Sequence, residues 1–218
     1  MIEENIDFLL GVNDEEWGQY AFSRDPIKGK VSEELRKEMI IKANECGKNQ
    51  AKILRGKYKD ISVEKLAEKL KVEYVQKDSN ITEEYIMFAC YNSPNKITIF
   101  QKYKLMVEKF IKDNNLRGKL ENIDIESMLL AHELFHHIEE NNKDIYTKKE
   151  KVVLWKIGRY KYKSGLICLG EIAAMAFAKE LLKINYNPYV FDILMLYPHD
   201  EDKANELYKE IKEFKGRL

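Results

Sequence analysis

The sequence predicts an α+β fold, mostly helical with one small sheet, on three observations. Charged residues make up 34% of the chain against only 10 Gly and 4 Pro, a composition suited to long helices with solvated faces. Apolar residues recur at helical spacing over most of the length but alternate over residues 72–100. A cluster of histidines sits on one of the helical stripes.

The elements follow in order. Residues 1–29 carry scattered aromatics (Phe8, Trp17, Tyr20, Phe22) among acids and end in turn signals at Asp25-Pro26 and Gly29. They read as a short N-terminal docking extension, and residues 30–218 as a single domain closed by C-terminal helices. Ser32 can cap a helix running to about Tyr58, and Ser62 a shorter one with Val63, Leu66, Ala67 and Leu70 on one face. Strands are expected in VEYV from Val72, in YIMFACY and in KITIF, the last two joined as a hairpin by Asn92-Ser93-Pro94-Asn95. Helices resume at 103–114 and 123–141, the latter capped by Asn122 or Asp124. Residues 142–164 are basic and aromatic without clear periodicity. A helix follows over about Leu169–Leu182, and two more can form after Asn187-Pro188 and Tyr197-Pro198.

Three of the four histidines fall within His132-Glu133-Leu134-Phe135-His136-His137. On a helix, H-E-x-x-H sets His132 and His136 one turn apart, close enough to share a metal ion, with Glu133 beside it. Ile125, Met128, Leu129, His132, Phe135 and His136 form one inward-facing stripe. Two imidazoles buried together need a metal or other partners. Non-haem iron also takes two histidines and a carboxylate, but a helical pair with an intervening Glu is a zinc-hydrolase arrangement, so zinc is the expected cofactor. A third ligand is expected at Glu171, which shares a helix face with Ala174, Met175, Ala178 and Leu182, where a carboxylate is costly unless paired or bound.

HELFHH, the later E-x-x-A-x-x-F-A-x-E-L-L of Glu171 to Leu182, and the upstream order of SVEKLAEKLKVEYV, hairpin and helix together resemble the ImmA/IrrE-like metallopeptidases over roughly residues 35–185. The resemblance implies a zincin-like (gluzincin) fold, His132, His136 and Glu171 as zinc ligands, and Glu133 as catalytic base. It also implies an endopeptidase that cleaves a helix-turn-helix transcriptional repressor or similar regulatory protein. The chain departs from that pattern in two places. Residues 137–170 make a long connection between His136 and Glu171, and Met175 stands where thermolysin-like enzymes place an Asp that holds a zinc histidine, so another group must orient the imidazoles.

The oxyanion of peptide hydrolysis needs a donor besides the metal, and His137, Arg159, Tyr160, Tyr162 and His199 are candidates. An extended peptide substrate would bind along a sheet edge, for which Lys96–Phe100 is the candidate strand. Two other functions compete with proteolysis. One is a non-catalytic metal-binding regulator that binds a repressor or toxin without cleaving it, against which the intact Glu133 argues. The other is DNA binding through SVEKLAEKL, against which the strand pattern directly after it argues.

The 37 basic and 37 acidic residues cancel, which disfavours direct nucleic-acid binding. They are laid out in blocks, however: residues 1–26 and 121–142 are acidic and 143–163 basic. The basic block is expected either to steer an acidic stretch of a protein substrate or to dock the acidic N-terminal segment over the cleft. Cys46, Cys90 and Cys168 are odd in number and far apart, so they read as reduced thiols. The acidic N-terminus is unlike a signal peptide, and no run of about 18 apolar residues suggests a membrane span. A cytoplasmic location is expected.

Overall fold

The computed structural model describes residues 2–59, 61–78 and 87–215. Helix starts are set by local capping chemistry. The Ser32 hydroxyl accepts from the Leu35 amide at the head of α3 (Glu33–Tyr58), Ser62 from Lys65 at α4 (Val63–Lys69), and Asp124, rather than Asn122, from Ser127 at α6 (Ile125–Asn141). α5 (Gln101–Asp113) precedes α6. α8 (Ile167–Leu182), α9 (Val190–Leu194) and α10 (Glu201–Lys215) complete the C-terminal part.

α8 is buried along nearly its whole length because alanines alternate with large apolar residues, which lets helices pack on more than one side. α3 and α6 both pack on it. The closest approach is to α3, at Gly47: a Cβ there would lie 2.0 Å from the Ala173 carbonyl oxygen, so only glycine admits the α8 backbone.

Residues of the expected N-terminal extension form α1 (Ile2–Leu10) and α2 (Asp14–Ser23), followed by a 3₁₀ turn at Lys28–Lys30. Asn13 and Glu16 make a reciprocal capping box at α2. Ile6, Leu9, Trp17 and Phe22 are completely buried and belong to the same hydrophobic cluster as the rest of the chain, through to Ile211. The acids of this segment are held locally. Asp14 bonds Lys48 of α3, Lys179 of α8 and Asn187, and Asp7 bonds Lys119.

The strands β1 (Glu73–Lys77), β2 (Ala89–Asn92) and β3 (Lys96–Phe100) form a sheet of order β1-β3-β2. β2 and β3 are the expected hairpin, in register Ala89 to Ile99 through Asn92 to Lys96; the start of YIMFACY lies outside the described residues. The expectation of Lys96–Phe100 as an edge strand is overturned: β3 is central, because β1 pairs with it in parallel on its other side. Its burial agrees, since Ile97, Thr98, Ile99 and Phe100 are all buried, the pattern of a strand covered on both faces. Among the described residues the edges are β1 and β2, and β2 is the one that packs beside α6.

The segment 142–164, which lacks helical periodicity, holds the short α7 (Tyr146–Lys149) and a second hairpin, β4 (Val152–Ile157) and β5 (Tyr160–Ser164). The turn between them places Gly158 at φ 58°. Among the described residues no helix is long and apolar enough to cross a membrane.

Candidate metal centre

α6 places His132 and His136 one turn apart with their Nε2 atoms 3.1 Å from each other. α8 crosses α6 so that Glu171 reaches both: Oε2 lies 3.3 Å from His132 Nε2 and Oε1 3.5 Å from His136 Nε2. Three donors held at about 2.05 Å by one tetrahedral ion would stand about 3.3 Å apart. The trio therefore has the mutual spacing of a ligand set, with the ligand atoms already turned towards a common point. Glu171 keeps 42% of its side-chain exposure, so this point is open on one side.

The protonation of the trio follows from that closeness. Burial disfavours a charged His132, but the hydrogen bond and charge of Glu171, with Glu133 nearby, raise its pKa to about 9. Burial pushes the Glu171 carboxyl upward, and the two imidazoles more than reverse this, bringing it to about 2. Without metal, a proton on His132 satisfies Glu171; a metal ion would take that proton's place.

Two carboxylates beyond the ligands bear on the imidazoles, and neither was singled out by the motif. Glu139, one turn after His136, brings Oε2 to 3.6 Å from His136 Nδ1. Gly170 makes room for it, since a Cβ there would stand 3.1 Å from Glu139 Oε1. The i+3 spacing from His136 was a legible signal for Glu139. Asp192 of α9 accepts from the Tyr20 hydroxyl at 3.1 Å and interacts with His132 through its charge, while the buried His132 Nδ1 has no hydrogen-bond partner among the described residues. Desolvation raises the Asp192 carboxyl to about 6 against the lowering effects of Tyr20 and His132. No spacing links residue 192 to the motif. The same holds for Asp25, buried in the N-terminal segment, whose Oδ2 accepts from the Cys168 amide in the first turn of α8 at 3.1 Å. It caps in trans the helix that carries Glu171.

His132, Glu133 and Glu171 line one wall of a 440 Å³ cavity. Met87, Phe88, Met128, Met175 and Met195 make its lining predominantly apolar, and Tyr20, Tyr189 and Asp192 add polar groups. Cys168 also lines it, with burial pushing its thiol up, while Cys46 and Cys90 lie elsewhere and all three are free.

The other sequence candidates do not line this cavity. His137 faces β2, its Nδ1 3.3 Å from the Tyr91 hydroxyl. His199 packs against Tyr103 and against Phe88, which itself lines the cavity. Tyr160 and Tyr162 stand on β5, 81% and 54% exposed, with Arg159 in the turn before them. The cavity instead contains Tyr189, a buried hydroxyl with no hydrogen-bond partner that sequence reasoning missed. Comparison of the chain with protein-family models, curated protein sequences and solved structures finds no match.

Proposed function

We propose that this protein is a zinc-dependent endopeptidase of gluzincin type, acting in the cytoplasm on a regulatory protein. The observation that supports it most directly is the convergence of His132, His136 and Glu171 at mutual distances of 3.1 to 3.5 Å beside Glu133. His132 and His136 would hold the ion through Nε2 and Glu171 through a carboxylate oxygen. Bound there, zinc supplies Lewis acidity to a scissile carbonyl and to water.

The chain's own residues account for the remaining work. Glu133 takes the proton of the attacking water and delivers it to the leaving amine. Glu139, beside His136 Nδ1, orients that imidazole, the part that Met175 cannot play, and Asp192 acts on His132 through its charge. The methionine-rich cavity receives an apolar side chain of the substrate and excludes water from the reacting bond. β2, the sheet edge beside α6, takes the extended peptide. Because HELFHH and Glu171 to Leu182 resemble the ImmA/IrrE-like regulators, the substrate proposed is a helix-turn-helix repressor.

The test is co-expression with a helix-turn-helix repressor encoded beside it, comparing wild type with Glu133→Gln and sequencing the fragments. Cleavage by wild type alone, with equal zinc content in both proteins, is the expected result. Proteolysis retained by Glu133→Gln would remove the mechanism, and stable binding without cleavage by either protein would replace it with a non-catalytic regulator.

A further inference from the structure

Beyond its base, where Val152 is buried and Leu154 half-buried, the β4–β5 hairpin is exposed on both faces, and its register sorts its residues by chemistry. Trp155 pairs with Tyr162 and Ile157 with Tyr160, so these four side chains share one face, while Lys156 pairs with Lys161 on the other. The apolar face is open: Trp155 is 50% exposed, Ile157 70%, Tyr162 54% and Tyr160 81%. Trp155 and Tyr162 stack with ring centroids 5.5 Å apart, which stiffens a flat aromatic surface. Scattered exposed apolar residues are ordinary, but four on one face of a projecting hairpin form a contiguous patch.

Its charge and position narrow what can cover it. From residue 151 to 164 there are five bases (Lys151, Lys156, Arg159, Lys161, Lys163) and no acid. β4 packs beside the Lys28–Lys30 turn, which adds two more lysines and stands one residue, Ile27, after the cavity-lining Arg24–Pro26. At the other end, β5 leads within three residues to Ile167, 68% exposed and part of the cavity wall. Both ends of the hairpin thus lie next to segments that lead within a few residues into the cavity lining.

We propose that this hairpin is a docking arm that holds the substrate protein by an amphipathic, acid-flanked helix, placing a neighbouring segment over the metal centre. This rests on the peptidase reading above and adds the partner chemistry to it. An apolar helix stripe covers the Trp155, Ile157, Tyr160 and Tyr162 face, where aromatic anchors concentrate binding energy. The lysines act through their field, since a Debye length of about 8 Å spans the thickness of a hairpin. A single-stranded nucleic acid fits less well. Phosphates would feel the same field, but stacking bases on the rings while contacting successive phosphates directly needs cations on the ring face, and Lys156 and Lys161 lie opposite it.

The test uses the full-length Glu133→Gln protein and a labelled acidic amphipathic peptide of about 20 residues built from Leu, Ala and Glu. Its Lys-for-Glu counterpart, an oligothymidine and phosphatidylglycerol-containing vesicles serve as rival probes. The acidic peptide should bind most tightly and lose affinity as salt rises. Trp155→Ser with Ile157→Ser, and separately Lys156→Glu with Lys161→Glu, should each weaken it by about tenfold or more. Their circular dichroism and zinc content should be unchanged, and in the Glu133-containing chain they should slow cleavage of an intact repressor but not of a short unstructured peptide. Equal binding of both peptides, preference for oligothymidine or vesicles, a concentration-dependent dimer abolished by the same substitutions, or indifference of peptide binding to them would each overturn the docking arm. Peptide binding that follows the expected pattern in a protein that cleaves nothing would instead overturn the peptidase reading and leave the arm standing.

Discussion

The chain's two tryptophans stand in segments that read alike, aromatic-rich and biased in charge, yet Trp17 is completely buried and Trp155 is half exposed. The difference lies in what each segment meets. Around Trp17 the buried carboxylates have partners. Asp14 is held by Lys48, Lys179 and Asn187, which outweigh its desolvation and bring its carboxyl to about 2, and Asp25 caps α8. Trp17 then stacks on Tyr189, ring centroids 5.7 Å apart, and packs edge-on to Tyr20. The hairpin has two strands and, among the described residues, no further layer over its apolar face, so its aromatics stay in solvent. Similar composition therefore yields core in one place and interaction surface in the other. The N-terminal segment does line the cavity, through Tyr20 and Arg24–Pro26, but its acids Asp7 and Asp14 pair with Lys119, Lys48 and Lys179, outside the basic block.

The largest expected effect tests this contrast directly. Trp17→Ala should cost about 3–5 kcal/mol of unfolding free energy in urea titration, because the completely buried ring, stacked on Tyr189, leaves a cavity in the core. A loss under about 1 kcal/mol would mean the N-terminal segment is no part of the core.

Asp25→Ala comes next. Removing a buried acceptor of two amides, Ile27 and Cys168, should cost about 2 kcal/mol. It should also weaken zinc binding, because the first turn of α8 positions Glu171. Unchanged zinc affinity in chelator competition would uncouple the N-terminal segment from the metal centre.

The third prediction concerns protons. His132 binds its proton up to a pH of about 9 and Glu171 is ionised above about 2, so metal binding at neutral pH expels the His132 proton. Zinc affinity should fall about tenfold for each unit the pH drops between 8 and 6, equivalent to about 1.4 kcal/mol. Calorimetry in buffers of different ionisation enthalpy should count the released proton, and a slope of zero would show that His132 is neutral before metal binds. Hairpin substitutions should leave this slope untouched.

The smallest effect completes the comparison. Trp155→Ala should change stability by no more than about 0.5 kcal/mol, because the ring is half in water already. A loss comparable to that of Trp17→Ala would make the hairpin part of the folding core and remove the ground for a docking arm.

Much of the candidate site was legible because it is local. Asp124 capping α6, the stripe from Ile125 to His136 and the one-turn separation of His132 and His136 all follow from helix geometry within a short stretch. Glu171 was legible one step further, as a carboxylate on an alanine-rich face. The 142–164 hairpin was less so, although Gly158 between VVLWKI and YKYKS is the turn signal that marks it. The oxyanion candidates Tyr160, Tyr162, His137 and His199 were chosen by residue type and order along the chain, neither of which reports distance.

By itself the sequence determined α3 and α4 with their Ser32 and Ser62 caps, the helices α5, α6 and α8, the β2–β3 hairpin and a pair of histidines one turn apart, since each depends on interactions a few residues apart. Only the tertiary structure decided that β3 is central, that Trp17 is core and Trp155 surface, and that Asp25, Asp192 and Tyr189 gather behind or beside the histidines. Those outcomes depend on contacts such as Asp25 to Cys168 and Tyr20 to Asp192, made between residues more than a hundred positions apart. Period and spacing carry no information at that range, because such pairs are brought together by the packing of whole elements against one another.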